Sequence, residues 1–492
     1  MKLNVKRTMW IGMAFFGILL VWQLYNSYCS PMLSLLFAKH DYPDAVAAAE
    51  AAGFITMKDM LANAYITSDM YLDLQWKVGI IMALDNIAAL FIMPIFGSLS
   101  DKTKSKLGKR TPYILVGSVI TAIALPFIPL FFSKGMANNE AAILGFIIGM
   151  IVTMVVIIVF MMSYRSPAVA LMPDLTPKPL RSRANGIINV VGYVGGAIGA
   201  VFAMVIPVTK YIDGSNKSLI MLEIPFIVGS ICLLGALVLL LLKVKENKLH
   251  EELDPELALY EDSGESAEAI TTSEKMSSSN IRNLVLILVA EVFWFMSLNA
   301  LETFQTNYFM FYLDTSSSGG AAMTLLSGAA SVAGFLVAGV IADKIGRKWT
   351  IFIGIATVCV GYILYSLIPG RDVSGGYTFA NSLPWVFFVL MPVIGLATSL
   401  IHICSFPLVT DYCTADKLGK FTSLYYTASM LAQSVTPILI GLIFRQTGWN
   451  ALPIYSAVLM GIAGCVFFFV KAPRRGDKAS NAKGFEALGA DD

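Results

Sequence analysis

The sequence predicts an all-α membrane protein with twelve transmembrane helices in two pseudo-symmetric six-helix halves and both termini in the cytoplasm. Three observations support this prediction. The 492 residues are 57% hydrophobic and only 14% charged, whereas soluble domains carry about 25% charged residues. Apolar segments long enough to cross a bilayer recur along the chain. A glycine–aspartate loop motif occurs twice.

Each predicted span holds about 20 mostly apolar residues, the length needed to cross the hydrocarbon core. Nothing in these segments alternates like a barrel strand, so they are predicted as helices that satisfy their own backbone groups in lipid. Numbered 1 to 12 in chain order, the spans are predicted at roughly 8–30, 76–100, 111–132, 143–172, 184–208, 221–243, 283–312, 323–342, 349–368, 384–412, 421–443 and 450–470.

The cations of the short loops predict the orientation, because positive residues favour the cytoplasmic side. Thirteen lysines and arginines lie in loops after even-numbered spans, and five lie after odd-numbered spans from the third onward. The predicted organisation is an N-terminal half at 1–243 with an outer insertion at 39–75, a flexible linker at 244–281, a C-terminal half at 282–471 and a cytoplasmic tail at 472–492.

The loop motif relates the two halves. The segment after span 2 aligns with the segment after span 8 at these positions: Gly97, Asp101, Gly108, Lys109 and Arg110 in the first copy, and Gly339, Asp343, Gly346, Arg347 and Lys348 in the second. Two related six-helix halves indicate a transporter whose binding site lies between them.

The pattern G-x-x-x-D-[KR]-x-G-[RK]-[RK] after spans 2 and 8 resembles the signature loop of the major facilitator superfamily. Within it, "DNIAALFIMPIFGSLSDKTKSKLGKRTPY" and "RSPAVALMPDLTPKPLRSRANG" resemble the sucrose and maltose branch of the glycoside-pentoside-hexuronide:cation symporters. The chain departs from that branch at Val169, where plant sucrose carriers have an arginine, and Arg165 lies one turn earlier. Asp85 is the only aspartate inside span 2, which disfavours the sodium site of melibiose-type relatives.

The aspartates of the loop motif are expected to pair with nearby arginines or with a helix N-terminus, and its glycines to permit close helix packing. We expect this motif to stabilise the outward-open state without touching substrate. A simpler alternative is that its charges only mark a cytoplasmic helix end.

Four ionisable residues inside predicted spans are candidate coupling residues: Asp85, Arg165, Glu291 and Glu302. A charge at mid-bilayer costs at least about 2.5–3.5 kcal/mol on insertion scales, so each is treated as functional. Desolvation disfavours the charged form of a carboxyl, which suits proton exchange at Asp85. Arg165 is expected to balance Asp85 when that residue is ionised. Purely structural roles remain the alternative for all four.

Polar and aromatic side chains at helical spacing are candidates for binding a sugar, whose hydroxyls must be paired when they leave water. Those on spans 1, 5 and 7 are Trp22, Gln23, Asn26, Asn189, Tyr193, Trp294 and Gln305, and those on spans 10 and 11 are His402, Tyr426, Ser429 and Gln433. Under the repeat, Asn189 and Tyr193 align with Ser429 and Gln433. Contacts between helices are the alternative role for each.

The predicted function is import of a sugar, a disaccharide or glycoside such as sucrose or maltose, by symport with a cation, for which a proton is favoured over sodium. The alternative is an exporter of a small polar metabolite or drug by proton antiport. No catalytic motif, cofactor site, metal site or nucleic-acid partner is predicted. The expected form is a monomer in the cell (inner or plasma) membrane.

Overall fold

A computed structural model describes residues 3–53, 65, 67–138, 140–177, 180–211, 215–253, 278–313, 317–368, 386–412 and 418–471. Regular secondary structure within these residues is helical and includes no strand, which confirms the predicted fold class. Eleven helical segments are long and apolar enough to cross a membrane. The 29-residue helix Ser317–Ile345 occupies the place of predicted span 8.

The six spans of the first half alternate in direction. They are Val5–Asp41 (span 1), Ser68–Lys102 (span 2), Thr111–Ala124 with Phe127–Ala137 (span 3), Glu140–Asp174 (span 4), Arg181–Val205 (span 5) and Asn216–Lys243 (span 6). Span 1 packs closely on span 5 through glycines of span 5, and the backbone at Gly195 lies against Phe16. The outer insertion contains the short helix Pro43–Ala51.

The second half follows the same order. Its spans are Ser278–Asn307 with the π-helical turn Tyr308–Tyr312 (span 7), Ser317–Ile345 (span 8), Arg347–Ser366 (span 9), Val386–Tyr412 (span 10), Leu418–Thr447 (span 11) and Ala451–Phe468 (span 12). Span 8 packs on span 10, and the two halves meet where span 2 packs on span 11 and span 5 on span 8.

Most helices extend beyond their predicted ends. Span 2 begins at Ser68 rather than near 76, and span 1 continues to Asp41 rather than ending near 30. Hydropathy locates only the apolar stretch, whereas a helix continues until a capping group ends it. Thr67 provides such a group, because its side chain accepts a hydrogen bond from the backbone N–H of Met70 at 3.3 Å.

Helices occupy both ends of the predicted linker. Residues 246–253 are helical, and the helix of span 7 begins at Ser278. Residue Glu246 is only 3% exposed and anchors this segment to the first half. The predicted linker therefore begins with a helix at 246–253, while 254–277 and the tail 472–492 lie outside the described residues.

The repeat is visible in the backbone. Gly108 and Gly346, aligned by sequence, both have positive φ, +115° and +87°. Residues with a side chain rarely adopt a positive φ, so both turns require glycine. We call the face with these turns the loop face and the opposite one the far face.

Candidate functional site: a polar cavity between the halves

A cavity of about 330 Å³ lies between the two halves, at mid-depth in the helices. Its walls come from span 1 of the first half and from spans 7, 8, 9 and 10 of the second. The lining residues are Gln23, Asn26, Ser27, Leu298, Leu301, Glu302, Gln305, Thr306, Thr324, Ser327, Gly328, Ser331, Tyr362, Met391, Ile394, Thr398 and His402. The volume lies within the range of about 300–1,000 Å³ found for small-molecule sites.

Five predicted site residues line this cavity: Gln23, Asn26, Glu302, Gln305 and His402. Their positions follow from helical periodicity, because residues three or four apart share one helix face. The amides are held by neighbours in the wall. Gln23 Nε2 donates to Ser27 Oγ at 2.9 Å, and Gln305 Nε2 donates to Thr324 Oγ1 at 3.1 Å.

Glu302 connects the two halves. Its Oε1 accepts hydrogen bonds from Trp22 Nε1 at 3.4 Å and from Asn26 Nδ2 at 3.3 Å, both on span 1. The residue is exposed to the cavity. Because this carboxylate faces the cavity and bonds the opposite half, its interactions depend both on what occupies the cavity and on how the halves are arranged.

Arg165 contacts Trp22, which in turn donates a hydrogen bond to Glu302. Its guanidinium lies over the Trp22 ring, 5.3 Å from the centroid, a cation–π geometry. Within the described part of the chain, no ion pair within 4.0 Å joins Arg165 to Asp85 or Glu302. The expected pairing with Asp85 is therefore not a direct contact here, because the arginine stacks on the indole instead.

Asp85 is buried on span 2 and does not line the cavity. It is 4% exposed. Its Oδ1 accepts hydrogen bonds from the backbone N–H of Asn86 at 2.5 Å and from Asn86 Nδ2 at 2.8 Å. It lies 17 residues from each end of span 2, at mid-depth.

Glu291 and Trp294 are buried in the second half, away from the cavity. Both are 0% exposed. Neither carboxylate oxygen of Glu291 nor the indole nitrogen of Trp294 has a hydrogen-bond partner among the described residues. Trp294 packs on Phe467, with ring centroids 6.2 Å apart.

The five remaining sugar-binding candidates also lie outside the cavity wall: Asn189, Tyr193, Tyr426, Ser429 and Gln433. Ser429 and Gln433 bond within their own helix, Ser429 to the carbonyl of Tyr426 at 2.9 Å and Gln433 to the carbonyl of Ser429 at 3.2 Å. Tyr193 packs on Phe335 across the halves at 5.9 Å. The expected placement of the span 5 and span 11 pairs around one cavity is not seen, although their roles remain predictions.

Sequence inspection missed the hydroxyl groups of span 8. Thr324, Ser327 and Ser331 line the cavity from one helix face. Their spacing of three and then four residues was a readable signal, but it lies in a glycine- and alanine-rich segment that offers no ionisable or aromatic residue.

At the loop face, Arg110 is the centre of an ion-pair network. Its Nε donates to Asp174 Oδ2 at 2.9 Å, and its Nη2 contacts Asp101 Oδ1. Burial alone would lower the pKa of Arg110, but Asp174 and Asp101 outweigh burial and raise it above its ordinary value. The predicted pairing of Asp101 with an arginine is confirmed, and these partners all belong to the first half.

At the far face, a buried polar cluster joins the halves. Asn307 Nδ2 donates to Ser30 Oγ and Ser34 Oγ at 3.0 Å each and to Gln75 Oε1 at 2.8 Å. Beside it, Tyr71 stacks on Phe311 with centroids 4.0 Å apart. These contacts close the far face between spans 1, 2 and 7.

Comparison with known proteins places the chain in a class of membrane transporters. The family model of the Major Facilitator Superfamily matches residues 51–371 and 284–490. The chain therefore belongs to that superfamily and is a multi-pass membrane protein, for which the cell membrane is the usual location.

Individual relatives are more distant. The sucrose transport protein SUC3 of Arabidopsis thaliana is 30% identical over 135 residues, which is 23% of this chain and 22% of that protein. A D-xylose-proton symporter structure has a TM-score of 0.61 at 13% identity, covering 95% of this chain and 98% of that one. A bacterial ferroportin homologue in an inward-facing state has a TM-score of 0.61 at 12% identity, covering 95% and 99%. At these identities the structures show the fold alone.

Proposed function

We propose that the chain imports a neutral sugar, a disaccharide or glycoside such as sucrose or maltose, together with a proton, through rocker-switch alternating access. The observation that carries the proposal is the position of Glu302 in the cavity wall, hydrogen bonded across the halves to Trp22 and Asn26. The partial match to a sucrose transport protein supports the choice of substrate.

The wall chemistry favours a neutral, hydroxyl-rich substrate. Amide, hydroxyl, imidazole and carboxylate groups line the cavity, and no lysine or arginine occurs among its described lining residues. A phosphorylated or acidic sugar would face Glu302 with no cation in the wall to balance its charge. Leu298, Leu301, Met391 and Ile394 supply an aliphatic surface for the apolar faces of sugar rings.

Glu302 is the proposed coupling carboxylate. Hydrogen bonds to an ionised acceptor are about twice as strong as bonds between neutral groups. Protonating Glu302 therefore weakens the contacts that join span 7 to span 1, which lets the halves move relative to each other. Arg165, stacked on the Trp22 ring, supplies a positive charge near Glu302 that favours its ionised form.

The closed far face supports an alternating-access cycle. With the loop face in the cytoplasm, as the loop cations predict, closure around Asn307 corresponds to a state in which the cavity is closed to the outside. Asp85 is proposed as a second carboxyl in the same cycle, acting on the first half rather than on the substrate.

The deciding experiment is uptake by proteoliposomes across a panel of labelled neutral, acidic and phosphorylated sugars, with imposed proton or sodium gradients. Proton-driven accumulation of a neutral disaccharide or glycoside is expected. Accumulation driven only by sodium would overturn the coupling assignment. Proton-driven export of the substrate would favour the antiporter alternative.

A further inference from the structure

A second cavity lies away from the transport path, at the loop face of the first half. Its volume is about 430 Å³. It is enclosed by the loop after span 2, the start of span 3, the end of span 6 and the helix 246–253. Three lysines line it, Lys106, Lys245 and Lys248, together with leucines of the loop and of spans 3 and 6, Leu107, Leu115 and Leu241.

The cavity is held in shape by specific contacts of the helix 246–253. Asn247 Nδ2 donates to the carbonyls of Ser105 at 3.0 Å and Lys106 at 3.1 Å. Glu246 Oε1 accepts from the backbone N–H of Lys109 at 2.9 Å, and its Oε2 accepts from Thr111 N at 2.9 Å and Thr111 Oγ1 at 2.7 Å. These bonds hold the loop that carries Lys106 against the segment that carries Lys245, and both lysines line the cavity.

The opening is positively charged. Against three lysines the lining contains one carboxylate, Glu246, which is 3% exposed and already bonded at both oxygens. Lys248 lies 3.8 Å from Glu252, but both side chains are exposed, and such surface pairs contribute little. An anionic ligand would therefore meet cations that have few competing partners.

The apolar side of the cavity lies at membrane level. Span 6 ends at Lys243 and span 3 begins at Thr111, so Leu241 and Leu115 lie where hydrocarbon gives way to head groups. The neighbouring Leu242 is 64% exposed on the outer surface of span 6. A ligand that fits both walls carries a phosphate at one end and an acyl chain at the other.

We propose that this cavity binds the phosphate head group of an anionic phospholipid, with the acyl chain along Leu115 and Leu241. Basic residues near a membrane surface attract anionic lipid head groups. The shared chemistry is a phosphate, so free phosphate and lipid must be separated by experiment. This proposal does not depend on which substrate the central cavity carries.

The test compares the full chain with a triple variant, Lys106→Gln with Lys245→Gln and Lys248→Gln. Retention of phosphatidylglycerol is measured by native mass spectrometry, and the melting temperature is measured in phosphatidylcholine nanodiscs with and without phosphatidylglycerol. At least fivefold weaker retention and loss of the lipid-dependent rise in melting temperature are expected. The matched control is Lys134→Gln with Lys210→Gln and Lys217→Gln, which removes the same charge near the far ends of spans 3, 5 and 6 and should behave like the parent chain.

Unchanged lipid retention in the triple variant, or an equal loss in the control, would overturn the site. Inorganic phosphate that stabilises the detergent-solubilised chain as much as the lipid does would overturn the lipid assignment. If the triple variant does not fold, the single reversal Lys245→Glu serves as the test, with Lys217→Glu as its control.

Discussion

The two halves repeat one sequence motif, and the described contacts of its aligned residues Arg110 and Lys348 differ. In the first half, Arg110 binds Asp101 and Asp174, and Glu246 caps the N-terminus of span 3. In the second half, span 9 begins at Arg347, its N-cap residue Gly346 makes no side-chain cap, and Lys348 Nζ donates to the carbonyl of Phe468 at 3.3 Å. The repeat preserves the backbone turn at Gly108 and Gly346, while the described partners of Arg110 and Lys348 are different.

The carboxyl groups inside the spans of the two halves also differ in their exposure. Asp85 of the first half is enclosed, whereas Glu302 of the second faces the cavity. Most of the cavity wall also belongs to the second half, with span 1 as the contribution of the first. Under the proposed function, the second half therefore supplies most of the surface for substrate, and the first half contributes through span 1.

The largest expected effect comes from the carboxylate of the second half. Glu302→Gln removes the ionised acceptor from the cavity, so uphill accumulation driven by a proton gradient should fall at least tenfold, and the KM should rise. Exchange of substrate without a gradient should continue, because it needs no net proton movement. Glu223→Gln, on span 6 outside the cavity wall, is the control, and normal accumulation by Glu302→Gln would remove Glu302 from the coupling site.

Asp85→Asn tests the enclosed carboxyl of the first half. Accumulation should also be lost, but the KM should stay within about twofold of the parent value, because Asp85 does not line the cavity. Proteoliposome uptake with and without a proton gradient measures both quantities. A variant that still concentrates substrate would make Asp85 a structural carboxyl bonded to Asn86.

Sequence patterns located the fold well and the site only in part. The length of an apolar stretch predicts a span without knowledge of its neighbours. Helical spacing placed Gln23 and Asn26 together on span 1, and both line the cavity. Rotation of a helix within the bundle depends on packing, which one sequence does not record. For this reason Ser429 and Gln433, polar and well spaced, bond to their own helix, while the small hydroxyls of span 8 line the cavity.

The two loop motifs can be compared by stability. Arg110→Gln should destabilise the folded chain by about 2 kcal/mol, because hydrogen bonds to charged groups contribute about 1.5–3 kcal/mol and the side chain is 6% exposed. Lys348→Gln should cost less than about 1 kcal/mol. Thermal unfolding in one detergent measures both, and equal losses would mean that the motifs are energetically equivalent despite their different contacts.

The smallest effect is expected at the buried carboxyl of the second half. Glu291 is 0% exposed and its oxygens have no hydrogen-bond partner among the described residues, so a neutral amide of the same shape fits the site without separating an ion pair. Glu291→Gln should leave accumulation within about twofold of the parent value and the melting temperature unchanged or higher. A loss of accumulation with exchange retained would instead make Glu291 a second proton-binding carboxyl, and the second half would then contain both an enclosed and an open coupling group.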